Sequence, residues 1–227
     1  MKDQYFGDAR DYFKYHLLEE LIASLPAVNQ LLCLWMLTPP DQTNEGNVPF
    51  VESQELPELT SFLRGHVDSG DRRVRHMRDY FSMRGIKYTP WGDEEPYFTN
   101  ASRTAYSENV PSECLRDAVV FFDPDKGVAL EKVTPQHLGL DDVMRLRERM
   151  NGNSVVVIYQ HFPRKADFWN AMAKTLRERI GGFVGYVHDP AVCYYVISGD
   201  AEKSDRVDVA LRRVASSGAS RRVGMSG

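Results

Sequence analysis

The sequence predicts an α/β fold, with a mostly parallel sheet, helices on both faces and a C-terminal antiparallel hairpin. Apolar runs of strand length at residues 31–37, 118–123 and 154–160 alternate with longer amphipathic segments, which favours parallel strands joined by helices. Two further β-rich runs, within residues 183–197, are joined by Asp189-Pro190, a pattern typical of a hairpin. We therefore expect a Rossmann-like sheet that ends in two antiparallel strands.

Helices are predicted where apolar residues recur every three or four positions. Pro26 ends the first helix, and Ser69-Gly70 interrupts the second. The predicted helices occupy residues 10–25, 56–84, 140–150, 165–179 and 201–214, with a short strand at 86–91.

The 227 residues suit a single domain. We expect that domain to span residues 1–214, with a helical insertion at about 55–112 whose polar part, 92–112, is mobile. The tail at 215–227 is rich in Ser, Gly and Arg and is expected to be disordered.

The bulk composition is that of an ordinary globular protein, with 42% hydrophobic residues and a net charge of −4. That charge does not favour nucleic-acid binding by the molecule as a whole. The three cysteines are scattered, the N-terminus is polar, and no apolar run approaches the roughly 20 residues that span a bilayer. A cytoplasmic location is expected; the sequence does not predict the oligomeric state.

The most informative stretch is residues 119–127, where an apolar run ends in Asp123-Pro124-Asp125-Lys126-Gly127. Ligands of open α/β sheets bind outside the carboxyl ends of the strands, so Asp123, Asp125 and Lys126 are candidate catalytic residues. Asp123 and Asp125 could also hold Mg²⁺ or Mn²⁺. The alternative without function is a tight turn built from Pro, Asp and Gly.

The apolar run at 154–158 also ends in polar side chains. His161 could act as a general base, since its pKa lies in the useful range. Tyr159, Gln160 and Arg164 are expected to bind substrate. The alternative is that His161 only hydrogen-bonds to the backbone where the next helix begins.

A third group lies near the N-terminus, in Gly7-Asp8-x-x-Asp11-x-x-Lys14-Tyr15. On a helix, Asp8, Asp11 and Lys14 share a face, because residues three or four apart are neighbours. The simplest interpretation is an N-cap aspartate followed by a solvated ion pair.

This stretch resembles the opening of the large-subunit ribosomal RNA adenine-N6 methyltransferases, which have Phe and then Gly-Asn-x-x-Asp-x-x-Lys-His. That family continues with an apolar strand and a Gly-rich turn, and later has Asp-Pro-Pro-Tyr after another strand. Leu31–Leu37 and Asp123-Pro124-Asp125 occupy the corresponding places here.

The resemblance implies a methyltransferase-like fold, S-adenosylmethionine as cofactor and adenine N6 methyl transfer. It also implies that Lys14 and Tyr15 orient the target, that Asp8 and Asp11 contribute to substrate binding, and that Asp123 holds the exocyclic amine.

The chain departs from the family pattern in two places. The loop at 38–46 has two prolines and a single glycine where the family has a glycine loop, and within it Asp41 and Gly46 are the residues expected to bind the cofactor. Since Lys126 replaces the Tyr of Asp-Pro-Pro-Tyr, stacking on the target base would have to come from Tyr159 or Phe162.

Two other functions remain open. One is a metal-dependent phosphoesterase or nuclease in which Asp8, Asp11, Asp123 and Asp125 bind Mg²⁺ or Mn²⁺. The other is a non-catalytic subunit of a larger complex.

A basic run could contact a nucleic-acid backbone. On a helix, Arg72, Arg75 and either His76 or Arg78 would span one basic face, and the alternative is an ordinary solvated surface. The candidate contacts are Arg72, Arg73, Arg75 and Arg78.

Overall fold

A computed structural model describes residues 1–42, 48–49, 55–163, 167–218 and 221–226. The helices are α1 (Ala9–Ser24), α2 (Pro57–Ser69), α3 (Met77–Met83), α4 (Arg103–Glu108), α5 (Leu140–Arg147), α6 (Phe168–Ile180) and α7 (Ala201–Ser216). The strands are β1 (Gln30–Trp35), β2 (Lys87–Trp91), β3 (Ala118–Asp123), β4 (Gly127–Ala129), β5 (His137–Gly139), β6 (Val155–His161), β7 (Phe183–His188), β8 (Val192–Ser198) and β9 (Arg222–Ser226). Short 3₁₀ turns lie at Asp3–Tyr5, Val74–His76 and Ser112–Leu115.

Seven strands form the main sheet, in the order β2-β1-β3-β6-β8-β7-β9. The pairs β1–β2, β1–β3 and β3–β6 are parallel, and β8 runs antiparallel between β6 and β7. The predicted fold class, a mostly parallel Rossmann-like sheet with a closing antiparallel hairpin, is confirmed.

Helices cover both faces of this sheet because the strands at its centre are apolar on both sides. All six residues of β1 are buried. Leu31, Cys33 and Trp35 belong to the core that includes α1 and α7, whereas Leu32 and Leu34 belong to the core that includes α5 and α6. The alternation follows from the two-residue period of a strand.

The chain leaves β1 toward β2 on one side of the sheet and returns to β3 on the other. Such a reversal opens a crevice at the carboxyl ends of the two central strands. Trp35 at the end of β1 is in register with Asp123 at the end of β3. The Asp123 motif therefore lies at this topological switch point.

Two of the expected boundaries differ from the structure. Residues 55–112 are not an insertion, since they include β2 of the main sheet. They form the connection from β1 to β3. The part expected to be mobile, 92–112, contains α4, and the Tyr106 hydroxyl there donates to the carbonyls of Trp35 and Trp91 at 3.0 and 2.9 Å.

The tail from 215 is also more ordered than expected. Helix α7 continues to Ser216, and β9 pairs antiparallel with β7. The prediction of disorder failed because composition does not reveal pairing with a distant strand edge. Among the described residues, no helix is both long and apolar enough to cross a bilayer.

Candidate active site

The N-terminal motif forms a tight turn that orients Asp11. Asp8 caps α1, since its Oδ1 accepts from the amides of Arg10 at 2.9 Å and Asp11 at 3.1 Å. Gly7 has φ +98°, and its amide donates to Asp11 Oδ2 at 2.8 Å. A side chain at Gly7 would meet a methyl group of Val67 at 2.8 Å. Only glycine combines this left-handed backbone with so close a packing.

Lys14 joins this turn to the Asp123 strand end. Its Nζ donates to Asp11 Oδ1 at 2.7 Å and to Asp123 Oδ2 at 2.8 Å. The three side chains are 3%, 5% and 2% exposed. The Asp11–Lys14 pair is therefore buried, and the interpretation as a solvated ion pair is wrong.

Electrostatics keep Lys14 charged. Burial by itself would lower the pKa of Lys14, but the carboxylates of Asp11 and Asp123 outweigh it, and that pKa is raised. Burial raises the pKa of Asp123 above its usual value, although Lys14 opposes the shift. The ammonium is thus a fixed counter-charge beside the Asp123 carboxyl group and favours its charged form.

Asp125 has a different set of partners. Lys2 Nζ donates to its Oδ2 at 2.7 Å, the Met1 amine lies 2.5 Å from its Oδ1, and the Thr38 hydroxyl also donates to it. Burial raises the pKa of Asp125, but the Met1 amine, Lys2 and Thr38 together bring it below its usual value. Asp125 therefore fastens the N-terminal segment to the loop after β1.

These pairings give the metal interpretation no support at this edge of the sheet. Asp8 caps a helix, Asp11 and Asp123 share Lys14, and Asp125 binds Lys2. Within the part of the chain that the structure describes, the one group of three ligand-type side chains with ligand atoms inside 4.8 Å lies elsewhere, near α2.

Among the described residues, three cavities lie along the carboxyl edge of the sheet. One of them, called the central cavity here, has a volume of about 60 Å³, and its lining includes Lys14, Asp123, Pro124 and Tyr159. A cavity of about 490 Å³ lies at the ends of β3 and β6 and shares Tyr5, Asp125 and His161 with the central cavity. It is lined by Lys2, Tyr5, Asp41, Asp125, Lys126, Val128, Gln136, His137, Gln160, His161, Pro163 and Phe168.

The third cavity, about 550 Å³, lies at the ends of β1 and β2. Sequence reasoning missed it, although β2 also ends in polar residues. It is lined by Trp35, Trp91, Gly92, Asp93, Glu94, Glu95, Pro96, Tyr97, Phe98, Ser102, Ala105, Tyr106 and Asn109.

Of the predicted residues at the end of β6, Gln160 has a structural role. It is 3% exposed. Its Oε1 accepts from the Val128 amide at 2.8 Å, and its Nε2 donates to the carbonyls of Lys126 at 3.1 Å and His161 at 2.9 Å. Backbone groups therefore hold the side-chain amide in place at the wall of the 490 Å³ cavity.

Two other predicted residues of β6, Tyr159 and His161, lie at the cavities. Tyr159 and His161 line the central cavity, and the Tyr159 hydroxyl lies 3.4 Å from His161 Nδ1. Lys126 is exposed on the 490 Å³ cavity. The Phe162 ring packs on Trp169, with centroids 4.9 Å apart. Arg164 lies outside the described residues.

Tyr15 was predicted to orient the target but belongs to the core. It is fully buried, with its ring centroid 6.4 Å from Phe6, 6.5 Å from Trp35 and 6.1 Å from Phe81. The aromatic pattern of the motif serves packing at this position, and Tyr15 lines none of the three cavities described above.

The described part of the predicted cofactor loop, which includes Asp41, does not line the 550 Å³ cavity. Asp41 is exposed and accepts from Gln4 Nε2 at 3.1 Å and from the Tyr5 hydroxyl at 3.3 Å. It lines the 490 Å³ cavity. Gly46 lies outside the described residues.

The four arginines do not share a helix face. Residues 71–73 are not helical. Arg72 Nε donates to the Phe6 carbonyl at 2.6 Å, Arg73 pairs with Asp71, and Arg78 binds Asp93 through two contacts of 2.9 Å. Arg75 is half-buried. The prediction of one basic face is wrong because the helix is broken at this point.

Comparison with known proteins assigns no family. No family model and no curated protein matches the chain. A solved structure that it resembles is protein LPL1258 from Legionella pneumophila str. Philadelphia 1, of family DUF519. The two share 9% sequence identity over 97% of each chain, with a TM-score of 0.49.

Proposed function

We propose that the chain is a methyltransferase that moves a methyl group from S-adenosylmethionine to an exocyclic amine of a nucleic-acid base, with adenine as the first candidate. The observation that carries the proposal is the buried Lys14–Asp123 pair at the switch point. Large cavities lie at the ends of β1 and β2 and at the ends of β3 and β6, on the same edge of the sheet as this pair. Transfer between two molecules requires two binding spaces that meet at one reacting centre.

The 550 Å³ cavity fits the cofactor's adenosine. The rings of Trp91, Tyr97 and Tyr106 offer flat apolar surfaces, and carboxylates that follow the second strand of such sheets accept hydrogen bonds from ribose hydroxyls. Glu94 and Glu95 are exposed at that position. When bound, S-adenosylmethionine supplies a methyl group on a positively charged sulfur.

The wall of this cavity requires glycine at position 92. It has φ +74°, and a Cβ there would lie 2.7 Å from the Tyr106 ring and 2.8 Å from the Trp35 carbonyl oxygen. Asp93 beside it is held by the two contacts from Arg78. The cavity is therefore built from fixed parts, as a site that orients its ligand requires.

Asp123 would position the amine. Lys14 occupies Oδ2, and among the described residues none donates to Oδ1. An amine N–H can donate to Oδ1 and another to the Pro124 carbonyl, which aligns the nitrogen lone pair for attack. Lys14 keeps the carboxylate charged and in one orientation, so the site is preorganised.

The 490 Å³ cavity suits an anionic, aromatic substrate. Lys126, His137 and His161 provide positive or titratable groups, and the Tyr5 and Phe168 rings provide flat surfaces. With a net charge of −4, contact with nucleic acid would be confined to this local region. Tyr159 offers a ring next to Asp123 for the target base.

Calorimetric titration with S-adenosylmethionine tests the cofactor assignment. We expect micromolar binding by the wild-type chain and by Asp123→Asn, because Asp123 is assigned to the substrate. Glu94→Gln combined with Glu95→Gln should weaken binding about tenfold, roughly 1.4 kcal/mol. Glu178→Gln on the exposed face of α6 is the matched control. Absence of binding by the wild-type chain would overturn the proposal.

A further inference from the structure

Three ligand-type side chains meet where α2 passes into α3. His66 lies in the last turn of α2, Asp71 in the connection, and His76 ends the 3₁₀ turn. One ligand atom from each lies within 4.8 Å of the other two. The two imidazole rings are stacked, with centroids 4.0 Å apart and planes 13° apart.

The inner nitrogen of His76 faces the Asp71 carboxylate. Its Nε2 is buried and lies 3.0 Å from Asp71 Oδ2, which is close enough for an ion pair but outside good hydrogen-bond geometry. A buried polar atom in a poor hydrogen bond loses part of the stabilisation that a good one provides. A cation between the nitrogen and the carboxylate would bind both.

The surroundings favour a cation site over a solvated cluster. Phe6 lies 5.8 Å from the His66 ring and 6.2 Å from the His76 ring, and Phe62 lies 4.8 Å from His66. Arg73 Nε donates to Asp71 Oδ1 at 2.6 Å, which holds the carboxylate with Oδ2 toward the histidines. Outer hydrogen bonds of this kind orient metal ligands.

We propose that His66, Asp71 and His76 bind one divalent transition-metal cation of the Zn²⁺ type. Two imidazoles and a carboxylate suit Zn²⁺ and exclude Mg²⁺ and Ca²⁺ as preferred ions. A water would complete the tetrahedron. Bonds of about 2.0–2.1 Å put tetrahedral ligand atoms about 3.3 Å apart, so the side chains close by up to about 1.5 Å. Because imidazole lone pairs lie in the ring planes, the two stacked rings must also turn toward the ion.

The cation would stabilise the turn that carries the N-terminal motif. Phe6 packs on both histidines, its carbonyl accepts from Arg72, and the next residue, Gly7, donates to Asp11. Asp3 Oδ1 accepts from the Val74 amide at 2.9 Å, which ties the same segments together. Metal binding would therefore fasten the α2–α3 junction to the residues that orient Lys14.

The test is titration of the chelator-treated full chain with Co²⁺, followed by displacement with Zn²⁺. We expect one equivalent of Co²⁺ with the visible absorption of a tetrahedral ion, which Zn²⁺ removes. His66→Gln, His76→Gln and Asp71→Asn should each weaken binding at least tenfold. His137→Gln, a half-buried histidine outside the cluster, should bind as the wild type does.

Asp71→Asn keeps the test valid if a histidine variant fails to fold, since the Asp71 side chain is 40% exposed. The proposal would be overturned if the wild type took up no metal, or if Asp71→Asn, His66→Gln and His76→Gln all bound metal as tightly as the wild type. The two histidines would then be a stacked pair only. The readout is the metal alone, so the result is independent of S-adenosylmethionine.

Discussion

At the scale of single residues, Lys14 is the side chain on which the candidate active site depends. It is 3% exposed and is the cation shared by two buried carboxylates, Asp11 and Asp123. Burying charges is costly, and a buried pair persists only when the geometry is good. Removing one partner leaves an uncompensated charge, which costs more than the net contribution of the pair.

Lys14→Met should therefore destabilise the protein strongly. We expect the free energy of unfolding to fall by about 3–5 kcal/mol, measured by urea denaturation at pH 7. Lys174→Met, on a side chain that is 76% exposed, is the matched control and should stay within about 0.5 kcal/mol. Equal stability of the two variants would show that Lys14 is not a buried bridge.

Two glycines should respond to alanine in opposite directions. Gly127 has φ +95°, and a Cβ there would lie 2.5 Å from the Gln160 amide, which is fixed by backbone contacts. Gly127→Ala should cost about 1–3 kcal/mol. Gly65 lies inside α2 with nothing within 4 Å of its Cβ position, so Gly65→Ala should stabilise by up to about 1 kcal/mol. Thermal unfolding checks both signs, and stabilisation by Gly127→Ala would contradict the described turn.

At the scale of secondary-structure elements, β9 completes the sheet edge. It pairs with β7 over five residue pairs, from Val184 with Ser226 to His188 with Arg222. Just before it, the Arg221 guanidinium lies 4.1 Å from the Phe13 ring centroid and donates to the Val214 carbonyl at 3.0 Å. The C-terminal segment is thereby attached to both the sheet and α1.

Deletion of residues 217–227 should expose the edge of β7. Its amides that face β9 should lose protection in hydrogen exchange, because their ladder partners are gone. The amides of β1, at the centre of the sheet, serve as the control and should change only through global stability. Unchanged protection along β7 would contradict the pairing with β9.

The sequence predicts a helix or strand well when the hydrophobic pattern of that segment is enough to determine its structure. β1, β3 and β6 are continuous apolar runs, and a strand buried on both faces needs nothing else. β9 was missed because it depends on a distant edge. The Lys14–Asp123 contact joins residues 109 positions apart, and no pattern in the sequence predicted it, although the resemblance gave both residues a role toward the target.

Some of the predicted site residues have structural roles that the sequence does not reveal. Gln160 lies at the end of a strand, as a substrate-binding residue would, but the turn at Gly127 leaves backbone groups that its amide satisfies. Tyr15 and its aromatic neighbours pack around the Lys14 stem, where the ammonium lies 5.3 Å from the Tyr15 and Trp35 rings. The place of Gln160 and Tyr15 in the sequence does not show whether each side chain packs in the protein or contacts a substrate.

At the scale of the whole molecule, stability should depend on buried neutral histidines. Burial and Arg221 lower the pKa of His16 to about 4. In the unfolded chain the His16 imidazole binds a proton near pH 6.5, whereas in the folded chain it stays neutral until about pH 4. This stabilisation is therefore complete above pH 6.5 and is lost as the pH falls from 6.5 toward 4.

His16→Gln should reduce the loss of stability between pH 7 and pH 4.5 by about 1–3 kcal/mol. The carboxylate oxygens of Glu20 and Glu55 lie 4.0 and 3.7 Å from His16 Nε2. Their negative charge favours the protonated imidazole, so the change in the free energy of unfolding falls toward about 1 kcal/mol where they offset the effect of burial. Urea denaturation with a chelator present measures it. His66 and His137 also have lowered pKa values, so the comparison is between variant and wild type. An identical pH dependence in both would refute the assignment.

The proposed methyl-transfer site also involves the whole molecule, because it consists of two cavities and the Lys14–Asp123 pair. The most direct test is transfer of labelled methyl groups from S-adenosylmethionine to RNA and to single-stranded DNA, with wild type, Asp123→Asn and Lys174→Met compared. We predict label in nucleic acid with the wild type and Lys174→Met, and none with Asp123→Asn. Absence of label with the wild type, or undiminished transfer by Asp123→Asn, would contradict the account.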